Sequence, residues 1–235
     1  MRANNGEQNV RERLMHINYP LGLSSQSPPK RFQYFLDILS DENENSEEKI
    51  LHVTIPFCDS ICTFCSNGRS LKTNDNVEKY ILALKSEIDM YSKTRYINSS
   101  IFSALYFGGG GTPTVLSSKQ LCDLLAYCKA KFTLCEDIEI NIESTTHNVD
   151  DEKLRKLLEC GVGRLYFGVQ TFDDTIRKIF NRTDSGKQVA KMIKTAHSIG
   201  YTNVHIDLMY NLPGQNVEMW KDDLKKAIDL NVESI

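Results

Sequence analysis

The sequence predicts an α/β fold, a partial (β/α) barrel of about five β/α units that breaks off at its sixth strand. From Ile50 onward, short apolar runs alternate with longer segments of helical period, which is the pattern of parallel strands joined by crossover helices. Glycine-rich or polar residues follow several of these runs, at the strand ends where such folds assemble their functional sites. With 235 residues, 40% hydrophobic and 25% charged, the chain is long enough to bury one core.

The N-terminal part differs from the rest. We expect residues 1–49 to form an extension and linker, with one helix marked by apolar side chains between 32 and 39, and residues 50–235 to form the core domain. The strands are expected at 51–56, 102–107, 137–142, 164–169 and 203–208, and the helices at 76–92, 117–131, 150–159, 185–199 and 216–229. Ser117 and Asn148 are candidate helix caps. A sixth strand begins at Glu233, so we expect the core domain to be C-terminally incomplete.

Charge and hydropathy narrow the class of protein. A net charge of -3 without a long basic run argues against nucleic acid as a partner. No apolar stretch approaches the roughly 20 residues of a membrane helix, and the first ten residues lack the apolar core of a signal peptide, so we expect a cytoplasmic protein with no membrane partner. The seven cysteines should then be reduced, and we expect Cys122, Cys128, Cys135 and Cys160 to be buried apolar side chains in or beside helices.

Three cysteines form a C-x3-C-x2-C pattern, Cys58, Cys62 and Cys65, directly after the first predicted strand. The same spacing describes a buried helical stripe, but Pro56 and the polar residues among the cysteines favour a loop. A structural zinc site would need a fourth ligand, and no further Cys or His follows within the next thirty residues. Three thiolates suit an iron–sulfur cluster that keeps one iron open, and we interpret the cysteines as its ligands.

Further candidates follow the other strands. The run from Gly108 to Gly111 lets a ligand approach the backbone closely, and the lack of a following Gly-Lys-Ser/Thr argues against a nucleotide P-loop. Glu143, Gln170 and Asp207 stand at or just beyond the carboxyl ends of predicted strands, where α/β barrels build active sites. The simpler alternatives are surface ion pairs for the two carboxylates and a solvated loop amide for Gln170.

The order of motifs resembles that of the radical S-adenosylmethionine (SAM) superfamily, in particular oxygen-independent coproporphyrinogen III oxidase and its relatives, including two-SAM class C methyltransferases. The resemblance covers about residues 50–235 and is carried by segments 55–65, 106–114, 140–143, 161–174, 181–183 and 206–215. It implies a partial barrel of the radical SAM type and a 4Fe–4S cluster on Cys58, Cys62 and Cys65. One more glycine is present in the 108–111 loop than the family's usual three.

The same resemblance implies the cofactor contacts and the chemistry. SAM occupies the open iron, contacts Glu143, and is cleaved reductively to a 5′-deoxyadenosyl radical that attacks a tetrapyrrole or other organic substrate. The glycine-loop contacts are Gly110, Gly111 and Thr112, and the positions that match a second SAM molecule are Phe64, Gly111, Thr112, Gln170, Arg182 and Asp207. A plain surface arginine is the alternative for Arg182. An electron donor such as flavodoxin or ferredoxin is an implied partner.

Several functions fit the resemblance. They are oxidative decarboxylation of coproporphyrinogen III, methyl transfer or cyclopropanation with a second SAM, haem degradation by methyl transfer with ring opening, and haem binding by a chaperone without turnover. Asn67 stands where the oxidases often carry a fourth Cys, and His52 and Thr54 replace the family's usual Tyr and His. Residues 17–20 resemble the extension of the two-SAM enzymes and argue against the chaperone. We therefore expect an enzyme, an oxidoreductase or a methyltransferase of this branch.

Overall fold

A computed structural model describes residues 28–43 and 49–235, and its elements follow the expected β/α order. The helices are α1 Pro28–Ser40, α2 Asn74–Tyr91, α3 Arg95–Asn98, α4 Ser118–Lys131, α5 Asp151–Glu159, α6 Asp174–Ile179, α7 Gly186–Ile199 and α8 Val217–Asp229. The strands are β1 Lys49–Thr54, β2 Phe57–Cys58, β3 Ser70–Leu71, β4 Ile101–Gly108, β5 Thr133–Ser144, β6 Arg164–Gln170 and β7 Asn203–Leu208. Residues 17–20 and most of the predicted linker lie outside the described residues, and the division at residue 49 stays a prediction.

Five parallel strands form the main sheet, in the order β1-β4-β5-β6-β7. Successive strands of this sheet are neighbours joined by helical crossovers, which confirms the predicted α/β partial barrel. At the free side of β7, Ser234 forms a parallel bridge with His205, and the Glu233 amide donates to the Val204 carbonyl at 2.9 Å. The segment predicted to begin a sixth strand therefore pairs with β7.

The two faces of the sheet differ in polarity. One face consists of apolar side chains that are at most 2% exposed, Leu105 and Phe107, Ile140 and Ile142, Leu165 and Phe167, and Val204 and Ile206. These side chains belong to the main hydrophobic core, which also contains buried residues of the crossover helices. The alternate positions on the inner face are polar or aromatic, and include Tyr106, Glu143, Tyr166 and His205. Parallel strands are usually apolar on both faces, so this alternation marks the inner face as a surface for ligands.

The helix ends follow from short polar side chains. Ser117 caps α4 as predicted, because its hydroxyl accepts a hydrogen bond from the Gln120 amide at 3.2 Å. The prediction that Asn148 caps the next helix is wrong. Asp150 caps α5 instead, since a 3-10 turn at Thr146–Asn148 comes before the helix and turns the Asn148 side chain elsewhere.

None of the described helices is long and apolar enough to cross a membrane.

A disulfide joins Cys122 on α4 to Cys160 at the end of α5. The expectation that all seven cysteines are reduced is therefore wrong for this pair. Packing of the two neighbouring crossover helices brings the Cα atoms to 5.8 Å, although the residues are 38 positions apart. Cys128 is buried on α4 as expected, whereas Cys135 lies half-buried on β5 rather than on a helix.

Candidate functional site

The carboxyl ends of the main strands border one pocket. Its lining includes every candidate site residue of the sequence analysis, namely Cys58, Cys62, Phe64, Cys65, Gly110, Gly111, Thr112, Glu143, Gln170, Arg182 and Asp207. Parallel strands end at the same edge of a sheet, so residues far apart in sequence meet there. The pocket is also lined by Asp59, His147 and Tyr166, which the sequence analysis did not select.

The cysteine loop starts from a small ribbon separate from the main sheet, in which β2 pairs with β3. Cys58 ends β2, and Cys62 and Cys65 lie on the non-helical loop that follows, so the cysteines do not form a helical stripe. All three thiols are free and half-buried. Thr112 Oγ1 lies 3.8 Å from Cys58 Sγ, and Arg182 Nη1 donates to Cys62 Sγ at 3.6 Å. Burial raises the pKa of Cys58, and a bound cation would favour its thiolate.

Asp59 fastens one side of this loop. Its Oδ1 atom lies 3.1 Å from His147 Nε2, and its Oδ2 atom accepts a hydrogen bond from Asn148 Nδ2 at 2.5 Å. The hydrogen bond with His147 lowers the pKa of Asp59 to about 2, so the carboxylate is ionised at neutral pH. The residue next to Cys58 is thereby tied to the 3-10 turn that follows β5. No sequence signal linked Asp59 to His147, because 88 positions separate them.

The turn after α6 fastens the other side of the loop. The Thr63 amide donates to the Phe180 carbonyl at 3.4 Å, and the Thr63 hydroxyl donates to the Ile179 carbonyl at 3.2 Å. Asn181 Nδ2 donates to the Ile61 carbonyl at 3.0 Å. Asn181 has a φ of 58°, a left-handed conformation that asparagine tolerates better than most residues. The middle of the cysteine loop is thus held by backbone and side-chain contacts from a single turn.

A buried ion pair connects the two turns that hold the cysteine loop, the 3-10 turn after β5 and the turn after α6. Arg177, which is 1% exposed, pairs with Asp184 and donates to the carbonyls of Val169 at 2.8 Å and Thr171 at 2.9 Å. The Thr146 hydroxyl donates to the other carboxylate oxygen of Asp184. Burial raises the pKa of Asp184, but the hydrogen bond from Thr146 and the charge of Arg177 outweigh it and lower the pKa overall. The pair joins α6, the end of β6 and the 3-10 turn into one support.

The glycine loop after β4 packs directly on the cysteine ribbon. Gly109 has a φ of 103°, and its amide donates to Glu143 Oε2 at 3.1 Å. A Cβ atom on Gly110 would collide with the carbonyl of Gly68, and one on Gly111 would collide with the backbone of β2. The glycines are therefore needed for close backbone approach around the cysteines as well as for a turn.

Glu143 is held by both of its carboxylate oxygens. Oε1 accepts a hydrogen bond from the Tyr106 hydroxyl, and Oε2 accepts the one from Gly109. Burial raises the pKa of Glu143, although these two hydrogen bonds oppose that rise. Asp207, near the end of β7, is exposed, and partial desolvation by the surrounding pocket raises its pKa. Within the described part of the chain, neither carboxylate forms an ion pair with Lys or Arg, which argues against the surface ion pairs considered for them.

Gln170 and Arg182 are bonded to each other. Arg182 Nη2 donates to Gln170 Oε1, and the Gln170 carbonyl accepts a hydrogen bond from the Met209 amide at 2.9 Å. Gln170 is buried with a φ of 64°, an uncommon backbone conformation for this residue type. Arg182 is half-buried, and its Nε atom has no partner. The solvated amide and the plain surface arginine are therefore both excluded.

The donor set fits a 4Fe–4S cluster. Soft thiolates are the ligands that such clusters take, and the three free cysteines share one pocket wall. Among residues 28–43 and 49–235, no three His, Cys, Asp or Glu side chains stand close enough together for a single metal ion. A 4Fe–4S cluster does not require the three thiolates to meet at one metal ion, because each thiolate binds a different iron atom. The hydrogen bond from Arg182 to Cys62 would offset negative charge on a bound cluster.

Comparison with protein families gives a match over residues 52–227, to the model described as the Radical SAM superfamily. The chain is also similar to anaerobilin synthase of Escherichia coli O157:H7, with 31% identity over 195 residues, 83% of this chain and 44% of that protein. Its identity to the heme chaperone HemW of Bacillus subtilis (strain 168) is 34% over 187 residues, 79% of this chain and 48% of that protein.

Comparison with solved structures gives a similar fold in coproporphyrinogen III oxidase (HemN) from Escherichia coli, described as a radical SAM enzyme. The TM-score is 0.76 at 30% sequence identity, and the match covers 86% of this chain and 45% of that chain. The chain thus spans about half the length of these relatives.

Proposed function

The chain belongs to the radical SAM superfamily, and on this premise we propose that it is an enzyme that cleaves SAM reductively at a 4Fe–4S cluster. The observation that carries the proposal is the pocket itself. Three free cysteines, a glycine loop and a half-buried carboxylate, Glu143, line one cavity at the carboxyl edge of the sheet, and Glu143 has no Lys or Arg partner among the described residues. This is the set of groups that a cluster with an open iron and a cationic cofactor requires.

The proposed roles of the residues follow from their chemistry. Cys58, Cys62 and Cys65 hold the cluster, and Glu143 accepts the ammonium group of SAM. When bound, cluster and SAM together supply a 5′-deoxyadenosyl radical, formed with one electron, that removes a hydrogen atom from the substrate. The electron comes from a reduced carrier such as flavodoxin or ferredoxin, the partner we expect. The chain's own residues bind, orient and shield these groups from water.

A second SAM molecule is part of the proposal. The residues assigned to it are Phe64, Gly111, Thr112, Gln170, Arg182 and Asp207, all in the same pocket. Arg182 offers a planar fork of donors that suits a carboxylate, and Asp207 offers an acceptor for an ammonium group. Phe64 packs edge-on against Phe180 at 5.1 Å between ring centroids, which fixes its ring beside the cysteines.

A tetrapyrrole is the substrate class that we favour. The names of two of the relatives contain heme and coproporphyrinogen, both tetrapyrroles. Oxidative decarboxylation and methyl transfer or cyclopropanation then differ in the product, because the first loses carbon dioxide and the others add a carbon. Mass spectrometry of the tetrapyrrole after turnover separates these outcomes.

A haem-binding chaperone without turnover is the second candidate. It is favoured by the 34% identity to heme chaperone HemW, which is slightly higher than the 31% identity to anaerobilin synthase and to coproporphyrinogen III oxidase. The two functions differ in a measurable way. A chaperone binds haem stoichiometrically and leaves SAM intact, whereas the enzyme produces 5′-deoxyadenosine.

Anaerobic reconstitution tests the proposal. We expect about four irons and four sulfides per chain and, with dithionite and SAM, 5′-deoxyadenosine detectable by chromatography. Changing Cys58, Cys62 or Cys65 to Ala should remove the visible absorption and the product. Cys135→Ala is the matched control, because Cys135 is a half-buried free cysteine outside the pocket, and it should retain both. Stoichiometric zinc without iron, or haem binding with intact SAM, would contradict the enzymatic proposal.

A further inference from the structure

Tyr106 lies on the inner face of β4, between the glycine loop and the middle of the barrel. Its register neighbours are His52 on β1 and Asn141 on β5, and its ring lies 5.0 Å from the His52 ring and 6.1 Å from the Tyr166 ring. Its hydroxyl donates to Glu143 Oε1. Burial, followed by the hydrogen bond to Glu143, raises the pKa of Tyr106, so the hydroxyl stays protonated and remains a donor across the neutral pH range.

Gly108 is the additional glycine of the 108–111 loop, and the Tyr106 ring beside it explains why a glycine stands there. Gly108 is the last residue of β4, and its backbone is not in the left-handed region, so conformational freedom is not the reason for glycine here. A Cβ atom at this position would run into the Tyr106 ring and would lie 3.0 Å from Glu143 Cδ. Gly108 therefore leaves the space in which the phenol meets the carboxylate.

From this geometry we infer that Tyr106 is a positioning residue, which orients Glu143 for an ammonium-bearing cofactor, and that Gly108 is required to leave room for the Tyr106 ring. The inference rests on the proposed function, in which Glu143 accepts the ammonium group of SAM. The Tyr106 hydroxyl on Oε1 and the Gly109 amide on Oε2 hold the carboxylate in its orientation toward the pocket. Both donors also favour the charged form of a carboxylate that is otherwise desolvated.

The charge balance around Glu143 explains why these donors matter. Asp207 on β7 raises the pKa of Glu143, and His52 on β1 lowers it. The other titratable or charged groups that line the same pocket are Tyr166, its register partner on β6, Asp59, Arg69, His147, Arg182 and the three cysteines. No Lys or Arg among the described residues forms an ion pair with Glu143, so the Tyr106 hydroxyl and the Gly109 amide are the hydrogen-bond donors that stabilise its anion.

The test compares SAM binding by the cluster-loaded wild-type chain and by Tyr106→Phe. Equilibrium dialysis at a series of pH values should show about a tenfold weaker affinity in the variant, the loss typical of a hydrogen bond to a charged group. The pH at which SAM affinity falls on acidification should also be higher in the variant, because Glu143 loses a donor that stabilises its anion. Tyr201→Phe is the matched control, since it removes a buried hydroxyl that donates to a backbone carbonyl outside the pocket. It should bind SAM as the wild type does.

Gly108→Ala provides a second route if Tyr106→Phe folds poorly. It should weaken SAM binding in the wild-type background and have a smaller effect in a Tyr106→Ala background, where the ring that a Cβ would strike is gone. Iron content equal to that of the wild type shows that the cluster loop is intact in each variant. An unchanged affinity in Tyr106→Phe, or an unchanged pH at which its affinity falls on acidification, overturns the inference. Failure of the wild-type chain itself to bind SAM would instead contradict the proposed function.

Discussion

Asp59 shows how a single residue can secure the cysteine loop from outside the ligand set. It follows Cys58 directly, and its carboxylate reaches His147 and Asn148 on another segment. Hydrogen bonds to an ionised carboxylate are stronger than those between neutral groups, so this contact depends on the charge of Asp59. The loop is therefore expected to loosen when that charge is lost.

Unfolding measurements at low pH should show how much the charge of Asp59 contributes to stability. The pKa of Asp59 lies near 2, below the ordinary value of 3.8, so the anion is favoured in the folded state. Its stabilising effect is present above the ordinary pKa and disappears as the pH falls from about 4 to about 2. The difference in urea midpoint between wild type and Asp59→Asn should be clear at pH 7 and vanish near pH 2. Asp123→Asn removes only an exposed ion pair with Lys119 and should show little difference at either pH. A difference that persists at pH 2 would mean that the Asp59 contact does not depend on charge.

At the scale of elements, two crossover helices are covalently joined. The disulfide between Cys122 and Cys160 fastens α4 to the end of α5, on the outer side of the sheet. The helices themselves pack through buried residues such as Leu121, Leu125 and Leu157, so the cross-link adds to a contact that already exists. Its effect should come mainly from restricting the unfolded chain.

Removal of this cross-link should lower the free energy of unfolding only under oxidising conditions. For a loop of this length the loss in Cys160→Ser is expected to be roughly 3–4 kcal/mol, measured by urea unfolding. With dithiothreitol the wild type loses the same restraint, so the two curves should then coincide. Cys135→Ser replaces a cysteine outside the disulfide and should unfold like the wild type in either condition. Equal stability of Cys160→Ser and wild type without reductant would show that the bond contributes nothing.

At the scale of the whole molecule, residues from both halves of the chain hold the pocket in place. The cysteine loop comes from the segment after β1, while its anchors come from the turns after β5 and α6. The ion pair of Arg177 and Asp184 links those turns behind the loop. A group bound by the three cysteines would therefore stabilise much of the fold rather than one loop.

Loading and removal of the cluster should change the melting temperature of the chain. The reconstituted protein should melt several degrees above the iron-free protein, because a ligand that binds only the native state adds its binding free energy to stability. Cys62→Ala, measured by calorimetry with and without iron and sulfide, should show no such difference. Equal melting temperatures for the loaded and iron-free wild type would indicate that the cysteine loop is not coupled to the rest of the fold.

Local sequence determined the order of the five β/α units and the candidate residues that meet at the pocket, but not Asp59, His147 or Tyr166, which also line it. Apolar period, the spacing of Cys58, Cys62 and Cys65, and the position of Glu143 after its strand are all properties of short segments. Only the tertiary structure decided the contact of Asp59 with His147, the disulfide of Cys122 with Cys160 and the meeting of Tyr106 with Glu143. Those pairs depend on how the crossovers stack helices and set strand register, and register is established by packing across the sheet rather than by any single segment.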